Sequence, residues 1–248
     1  LLGPRINACG RLDTADTAVR LLMTEDPEEA EALAGELDAL NRKRQQLVDE
    51  MTLEAVEEIE KNPDKHQYVI VVARPGWNVG VVGIVASRLV EKYYRPVVVL
   101  GIDEEKQTAK GSARSIQGFH LFQALSECKE WLPEFGGHEM AAGMTLEARN
   151  ISKLHERLSL LAKERIRPED YVPLKWAEGE LDAEQIEEDL IEQLEILAPF
   201  GVGNPQPLFI VKEMPVARIQ RMGREQEHVK LYLKRKNGML SAVGFRLG

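Results

Sequence analysis

The longest periodic stretch of apolar positions runs through residues 27–62. Leu33, Leu37, Leu40, Leu47, Met51, Ala55 and Ile59 form a narrow apolar stripe among dense charge. That spacing predicts one long helix, and so thin a stripe suits a helix that bridges two domains. Asp26 is placed to N-cap it, Pro27 fits the first helical position, and Glu29 sits where a capping box wants an acid. "KNPD" (61–64) ends it. Residues 1–25 predict a loop, then a short helix with Ala18, Leu21 and Leu22 on one side.

Beyond the long helix the pattern changes period. "YVIVVARPG" and "RPVVVLGID" are short, β-rich apolar runs, and "EEKQTAKGSARS" reads as a turn followed by a strand. "VGVVGIVASRLVEKYY", "GFHLFQALSECKEWL" and residues 150–166 read as helices, and "GGHEMAAGMTLE" leads into a fourth strand. Strands alternating with helices predict an α/β sandwich. After "RPEDYVP" an acidic helix, "DAEQIEEDLIEQLEILAPFG", precedes three strand-like runs with turn signals, including Asn237-Gly238. These predict an antiparallel β module.

Composition narrows the classes. Hydrophobic residues at 44% and charged residues at 29% of 248 are globular values. Two cysteines, Cys9 and Cys128, make neither a disulfide framework nor a CxxC zinc site, and imply a reducing compartment. No apolar run approaches the roughly 20 residues that span a bilayer. The first residue is not Met, and the abrupt start leads us to expect a piece cut from a longer protein. The net charge of −9 argues against a nucleic-acid partner for the chain as a whole. Residues 207–248, however, hold nine Lys/Arg against three Asp/Glu. A basic tail on an acidic body admits a polyanion, and equally an ordinary solvated β face.

Four stretches could carry chemistry. In "GSARS", Ser112, Arg114 and Ser115 alternate faces on a strand; Arg114 offers a bidentate fork to a phosphate and the hydroxyls complete a cage. In "FGGHEMAAGMT", Gly136 and Gly137 permit positive φ and close backbone approach, His138 is a titratable donor, and "AAG" would bring a helix N-terminus to the same spot. The alternative is a tight turn with a satisfied core histidine. Gly76, Gly80 and Gly83 around "GWNVGVVGIVASRL" resemble a phosphate loop, but neither a Walker A loop nor GxGxxG is present. Gly80 and Gly83 suit close helix–sheet packing better. "GPRINACGRLDTAD" groups Arg5, Asn7 and Arg11, for anion binding or for capping. DxD, DHH and GxSxG are all absent. Anion-binding groups are present without a visible catalytic engine.

Taken in order, "GPRINACGRLDTADTAVRLL", "GWNVGVVGIVASRL…YYRPVVVL", "GSARSIQGFHLFQALSEC", "FGGHEMAAGMTLE" and "LAPFGVGNPQPLF" resemble the RecJ family, bacterial single-strand-specific 5′→3′ DNA exonucleases of the DHH phosphoesterase superfamily. The resemblance covers essentially the whole chain. It implies the end of a DHH domain (1–26), a connecting helix (27–62), a DHH-associated α/β domain (67–168) and an OB-like, mostly antiparallel β module (170–248). It implies Mn²⁺ or Mg²⁺ held by Asp and His residues that would precede Leu1. It assigns Arg5, Asn7, Arg11, Ser112, Arg114, Ser115, Gly136 and Gly137 to the substrate, and His138, on the loop facing the metal centre, to catalysis at the scissile group. Asn78 stands where many family members have His, and receives no role. Further implications are single-stranded DNA and single-strand-binding protein as partners, a monomer, no membrane contact and a cytoplasmic location. Tyr232 and Phe245 are candidates to stack on bases, with Phe245 the better candidate for core. The competing readings are a non-catalytic single-strand-binding adaptor, and a DHH-family phosphodiesterase acting on short oligonucleotides or cyclic dinucleotides.

Overall fold

A computed structural model describes residues 2–247. The chain divides into two compact units at Pro173/Leu174.

The first unit starts with α1 (Leu2–Leu12), α2 (Asp16–Met23) and α3 (Pro27–Lys61). The expected opening loop is a helix. Two glycines give the segment poor helix propensity, but Ala8 and Cys9 are buried, and Cys9 packs with Leu37 of α3 and Ala18 of α2. Pro4 lies in the first turn, where no intrahelical N–H bond is lost. Asp26 caps α3 by accepting from the Glu28 N–H. The expected capping box does not form, because the Glu29 carboxylate instead takes Arg20 and the Thr24 hydroxyl.

A five-stranded sheet follows, built from β1 (Ile70–Pro75), β2 (Val97–Asp103), β3 (Thr108–Arg114), β4 (Glu134–Gly137) and β5 (Ala141–Glu147). Its order is β1-β2-β3-β5-β4. Only β1 and β2 are parallel; α4 (Val82–Tyr93) makes the crossover between them. One face packs on α5 (Leu121–Ser126) and α6 (Ile151–Arg165) through Val98, Leu100, Ala109, Ala113, Leu154 and Leu158. The other face is covered by α3 and α4 over β1 and β2, where Met51, Ala55, Val85 and Leu89 meet Ile70, Val72, Val97 and Val99, and α4 reaches on to the Ser112–Arg114 end of β3. Over the Lys110 end of β3, and over β5 and β4, this second face is left open.

The second unit contains β6 (Gly179–Glu180), α7 (Glu188–Glu195), β7 (Phe209–Ile210), β8 (Val216–Met222), β9 (His228–Arg235) and β10 (Gly238–Gly244). The last three form an antiparallel sheet in the order β10-β9-β8, while β6 and β7 make a two-residue parallel pair. The β9–β10 loop is Lys236-Asn237, with Arg235 opposite Gly238. None of its described residues is fully buried. Phe245, expected in the core, follows the last strand and is 72% exposed. No helix among the described residues is long and apolar enough to cross a membrane.

A buried histidine pair sits where α3 hands over to β1. His66 and His155 stack with centroids 5.2 Å apart. His155 Nε2 lies 3.0 Å from the Val69 carbonyl, whereas neither ring nitrogen of His66 has a partner among the described residues. Burial, then His155 and Lys65, push the His66 pKa down to about 4; burial also lowers that of His155. A base whose pKa is lower in the folded state binds more protons when unfolded. Its contribution is therefore intact above about pH 6.5 and fades as pH falls toward 4. For His66 the expected loss between pH 7 and 5 is about 2 kcal/mol. His66→Phe should flatten that dependence, read as urea midpoints at the two pH values; equal slopes in both proteins would contradict the assignment.

Candidate anion-binding site

Strand β3 faces two environments, and its sequence alternates accordingly. Ala109, Gly111 and Ala113 are buried on the α5–α6 side. Lys110, Ser112 and Arg114 therefore point to the opposite, partly open face, as strand periodicity demands. The register carries that face outward: Ser112 pairs with Gly143, which pairs with Gly136, while Lys110 pairs with Thr145, which pairs with Glu134. The result is a three-strand strip, Ser112–Gly143–Gly136, nearly without side chains. It floors a groove of about 820 Å³ that Val79, Gly80 and Lys110 also line.

The glycines here fall into two kinds. A Cβ on Gly111 would stand 2.0 Å from the Val99 carbonyl oxygen, and one on Gly137 would stand 2.3 Å from that of Ala141. Both are required by the chain's own close approach. Gly136 has nothing within 4 Å of a Cβ, and Gly143 only the Gly111 oxygen at 3.8 Å. The chain's own packing does not require these two, and they leave the groove floor open.

At one end of the groove two guanidinium groups converge on the N-terminus of α4. Arg11 Nη1 donates to the Gly80 carbonyl at 3.1 Å. A Cβ on Gly80 would lie 2.1 Å from the Arg11 carbonyl oxygen, so α1 ends hard against the loop that enters α4. Under the first turn of α4, the point where a Gly83 Cβ would stand is 3.0 Å from Arg114 Nη2 and 3.4 Å from Ser112 Oγ. Arg114 Nη1 donates to the Ala113 carbonyl. Among the described residues neither Arg11 nor Arg114 has a carboxylate partner, and no side chain caps α4. Burial and then Arg11 lower the Arg114 pKa, although the group stays charged at neutral pH. Two cations beside the positive end of a helix repel one another, and an anion between them reverses the sign.

The second unit presents a different surface. On β8 and β9, Arg218, Gln220 and Met222 share a face with His228, Lys230, Tyr232 and Lys234. Tyr232 lies between two cations, with Arg218 Cζ 5.6 Å and Lys230 Nζ 5.3 Å from its ring centroid. Its hydroxyl donates to Gln220 Oε1 at 3.3 Å.

Comparison with known proteins bears on both surfaces. Residues 66–164 match the DHHA1 domain and residues 177–248 match the RecJ OB domain. The single-stranded-DNA-specific exonuclease RecJ of Bacillus subtilis is 49% identical over 247 residues, covering 100% of this chain and 31% of its own length. The enzyme of the same name from Escherichia coli is 37% identical over 215 residues, covering 84% of this chain and 37% of its own length. A crystal structure of Thermus thermophilus RecJ in complex with Mg²⁺ superposes with a TM-score of 0.84 at 31% identity, over 100% of this chain and 37% of that one. The chain belongs to the RecJ family. It spans about a third of the length of these relatives.

Within this RecJ-family chain, the structure brings together Arg11, Ser112, Arg114 and Gly136, and separates others expected with them. Arg5 turns to α3 and pairs with Asp38 at 2.7 Å. Asn7 is exposed on α1. Ser115 is buried past the end of β3 and donates to the Phe119 carbonyl at 2.6 Å, closing the loop to α5. His138 is not a core residue, and the segment after it does not start a helix; the helix N-terminus near it is that of α5, whose Leu121 N–H donates to the Glu139 carbonyl. "AAG" begins β5, and His138 sits exposed at the tip of the β4–β5 hairpin, its N–H donating to Ala141 O. Lys110 and Gly143 were missed, although the alternation Lys-x-Ser-x-Arg along β3 carried the signal for Lys110. Among the described residues no group of three His, Cys, Asp or Glu is placed to hold a metal, so the residues present do not fit Mn²⁺ or Mg²⁺.

The two kinds of glycine make a stability test. Gly111→Ala should cost about 2 kcal/mol or more, because the Val99–Leu100 backbone of β2 must move, whereas Gly136→Ala should stay within about 0.5 kcal/mol. Urea denaturation of the two variants decides it; equal losses would show that the strip is structural.

Proposed function

We propose that this chain is the substrate-holding part of a single-strand-specific 5′→3′ DNA exonuclease that releases mononucleotides in DNA repair and recombination. The observation that carries the reading is the pair Arg11 and Arg114 under the N-terminus of α4, with no carboxylate partner among the described residues. A terminal phosphate fits that place by charge and by donor geometry. Arg114, Ser112 and Arg11 hold it; the bare Gly143–Gly136 strip lets the sugar and base lie close to the sheet. His138, on the hairpin that carries Gly136 and Gly137, donates to the group being cleaved. The basic face around Tyr232 tracks the incoming strand by charge and stacking.

In this reading residues 1–26 close a DHH domain, 27–62 connect, 67–168 form the DHH-associated domain and 170–248 the OB-like module. The Thermus thermophilus RecJ structures are complexes with Mg²⁺ and with Mn²⁺; the ion this enzyme uses is held by residues outside this chain. The same reading has it act in the cytoplasm as a monomer, with single-strand-binding protein as partner.

Arg114→Ala should weaken binding of a 5′-phosphorylated single strand by about 1–3 kcal/mol, the worth of a charge-assisted hydrogen bond. The same strand without its 5′-phosphate should be little affected. Fluorescence anisotropy measures both, and equal losses would remove the phosphate assignment. In the full-length enzyme, His138→Ala should lower kcat with KM nearly unchanged. A rise in KM alone would make His138 a binding group.

A further inference from the structure

The groove does not end at Ser112. A second groove of about 520 Å³, lined by Trp77, Asn78, Gly101 and Lys106, shares Val79, Lys110 and Thr145 with the first. Lys110 stands at the junction of the two. It is exposed, it has no ion-pair or hydrogen-bond partner among the described residues, and nothing in the fold needs its charge. The other lysine lining the second groove is engaged: Lys106 closes the β2–β3 turn on Asp103.

Lys110 is also in step with the phosphate-binding group. Ser112 Oγ and Arg114 Nη2 converge on one point under α4. Alternate side chains on a strand repeat at about 7 Å. Lys110 therefore stands one repeat beyond Ser112, close to the separation of successive phosphates in an extended single strand. Three carboxylates share this face: Asp103 and Glu147, opposite Thr108 on β2 and β5, are paired with Lys106 and Arg149, whereas Glu134 lies two strands away on β4 and lines the opposite side of the first groove. Charge thus orients an occupant: phosphates along β3, the uncharged sugar and base over Gly143 and Gly136.

The geometry points to a second subsite, in which Lys110 binds the internucleotide phosphate next to the terminal one and directs the strand into the groove beside Trp77. This rests on the function proposed above and adds a register to it. The minimal ligand that fills the site is a 5′-phosphorylated dinucleotide, not a mononucleotide.

The test uses this chain and three probes in competition anisotropy at low salt: thymidine 5′-monophosphate, the 5′-phosphorylated thymidine dinucleotide, and that dinucleotide with a neutral methylphosphonate linkage. The phosphodiester dinucleotide should bind about 10-fold more tightly than the other two. Lys110→Ala and Lys110→Gln should abolish that advantage, leave the mononucleotide affinity within twofold, and reduce the salt slope for the dinucleotide by somewhat under one. A mononucleotide that binds as well as the dinucleotide overturns the subsite and leaves the terminal-phosphate site standing. So does a neutral linkage that binds as well as the charged one, or a Lys110→Ala loss shared by all three probes. Failure of all three probes to bind, with the fold intact by circular dichroism, overturns the terminal-phosphate site and the subsite together.

Discussion

The open face of the sheet depends on what β3 is asked to do. Its buried side must pack against α5 and α6, and it does so with Ala109, Gly111 and Ala113, small enough for the strand to lie close. The register with β2 leaves no room for more, since a Cβ on Gly111 would press into the Val99 carbonyl. Once those three face inward, the pleat forces Lys110, Ser112 and Arg114 outward. Helix α4 reaches across β2 to β3, so its first turn lies over Ser112 and Arg114, while Lys110 emerges exposed beyond it. A packing requirement on one face therefore sets the polar row on the other.

The electrostatics of that row run against stability. Two guanidiniums near each other and near a helix N-terminus raise the energy of the unliganded fold, and nothing acidic offsets them among the described residues. Elsewhere the protein pairs its charges across elements: Arg88 with Asp49, Arg74 with Glu54, Arg5 with Asp38. Those pairs fasten α3 to its neighbours. The contrast separates charges that serve the fold from charges held ready for something outside it.

Local signals were the most legible. Asp26 and Pro27 start α3 where the sequence places them, since capping involves only neighbouring residues. The two strand-like runs at 68–76 and 95–103 are strands, because each is apolar on both faces and buried between layers. The readings that failed depended on distant partners. Residues 2–12 look like a loop until Leu37 is there for Cys9 to pack on. Glu29 suits a capping box until Arg20 and Thr24 offer it a better pair of donors. Phe245 suits a core that the second unit's described residues do not build.

The sequence by itself determined the start of α3, strands β1 and β2, the change of pattern near residue 173 and the inventory of anion-binding groups. Periodicity, turn chemistry and residue type are local properties, and a single chain displays them. Which members of that inventory act together was decided only by tertiary structure. Arg11 and Arg114 are far apart along the chain and meet because α1 ends against the loop entering α4. Arg5 has the same chemistry and only six positions separate it from Arg11, yet it is spent on Asp38 because it lies on the side of α1 that faces α3. The two bare glycines become one strip with Ser112 because antiparallel register aligns them across three strands. Long-range pairing of this kind leaves no trace in local sequence.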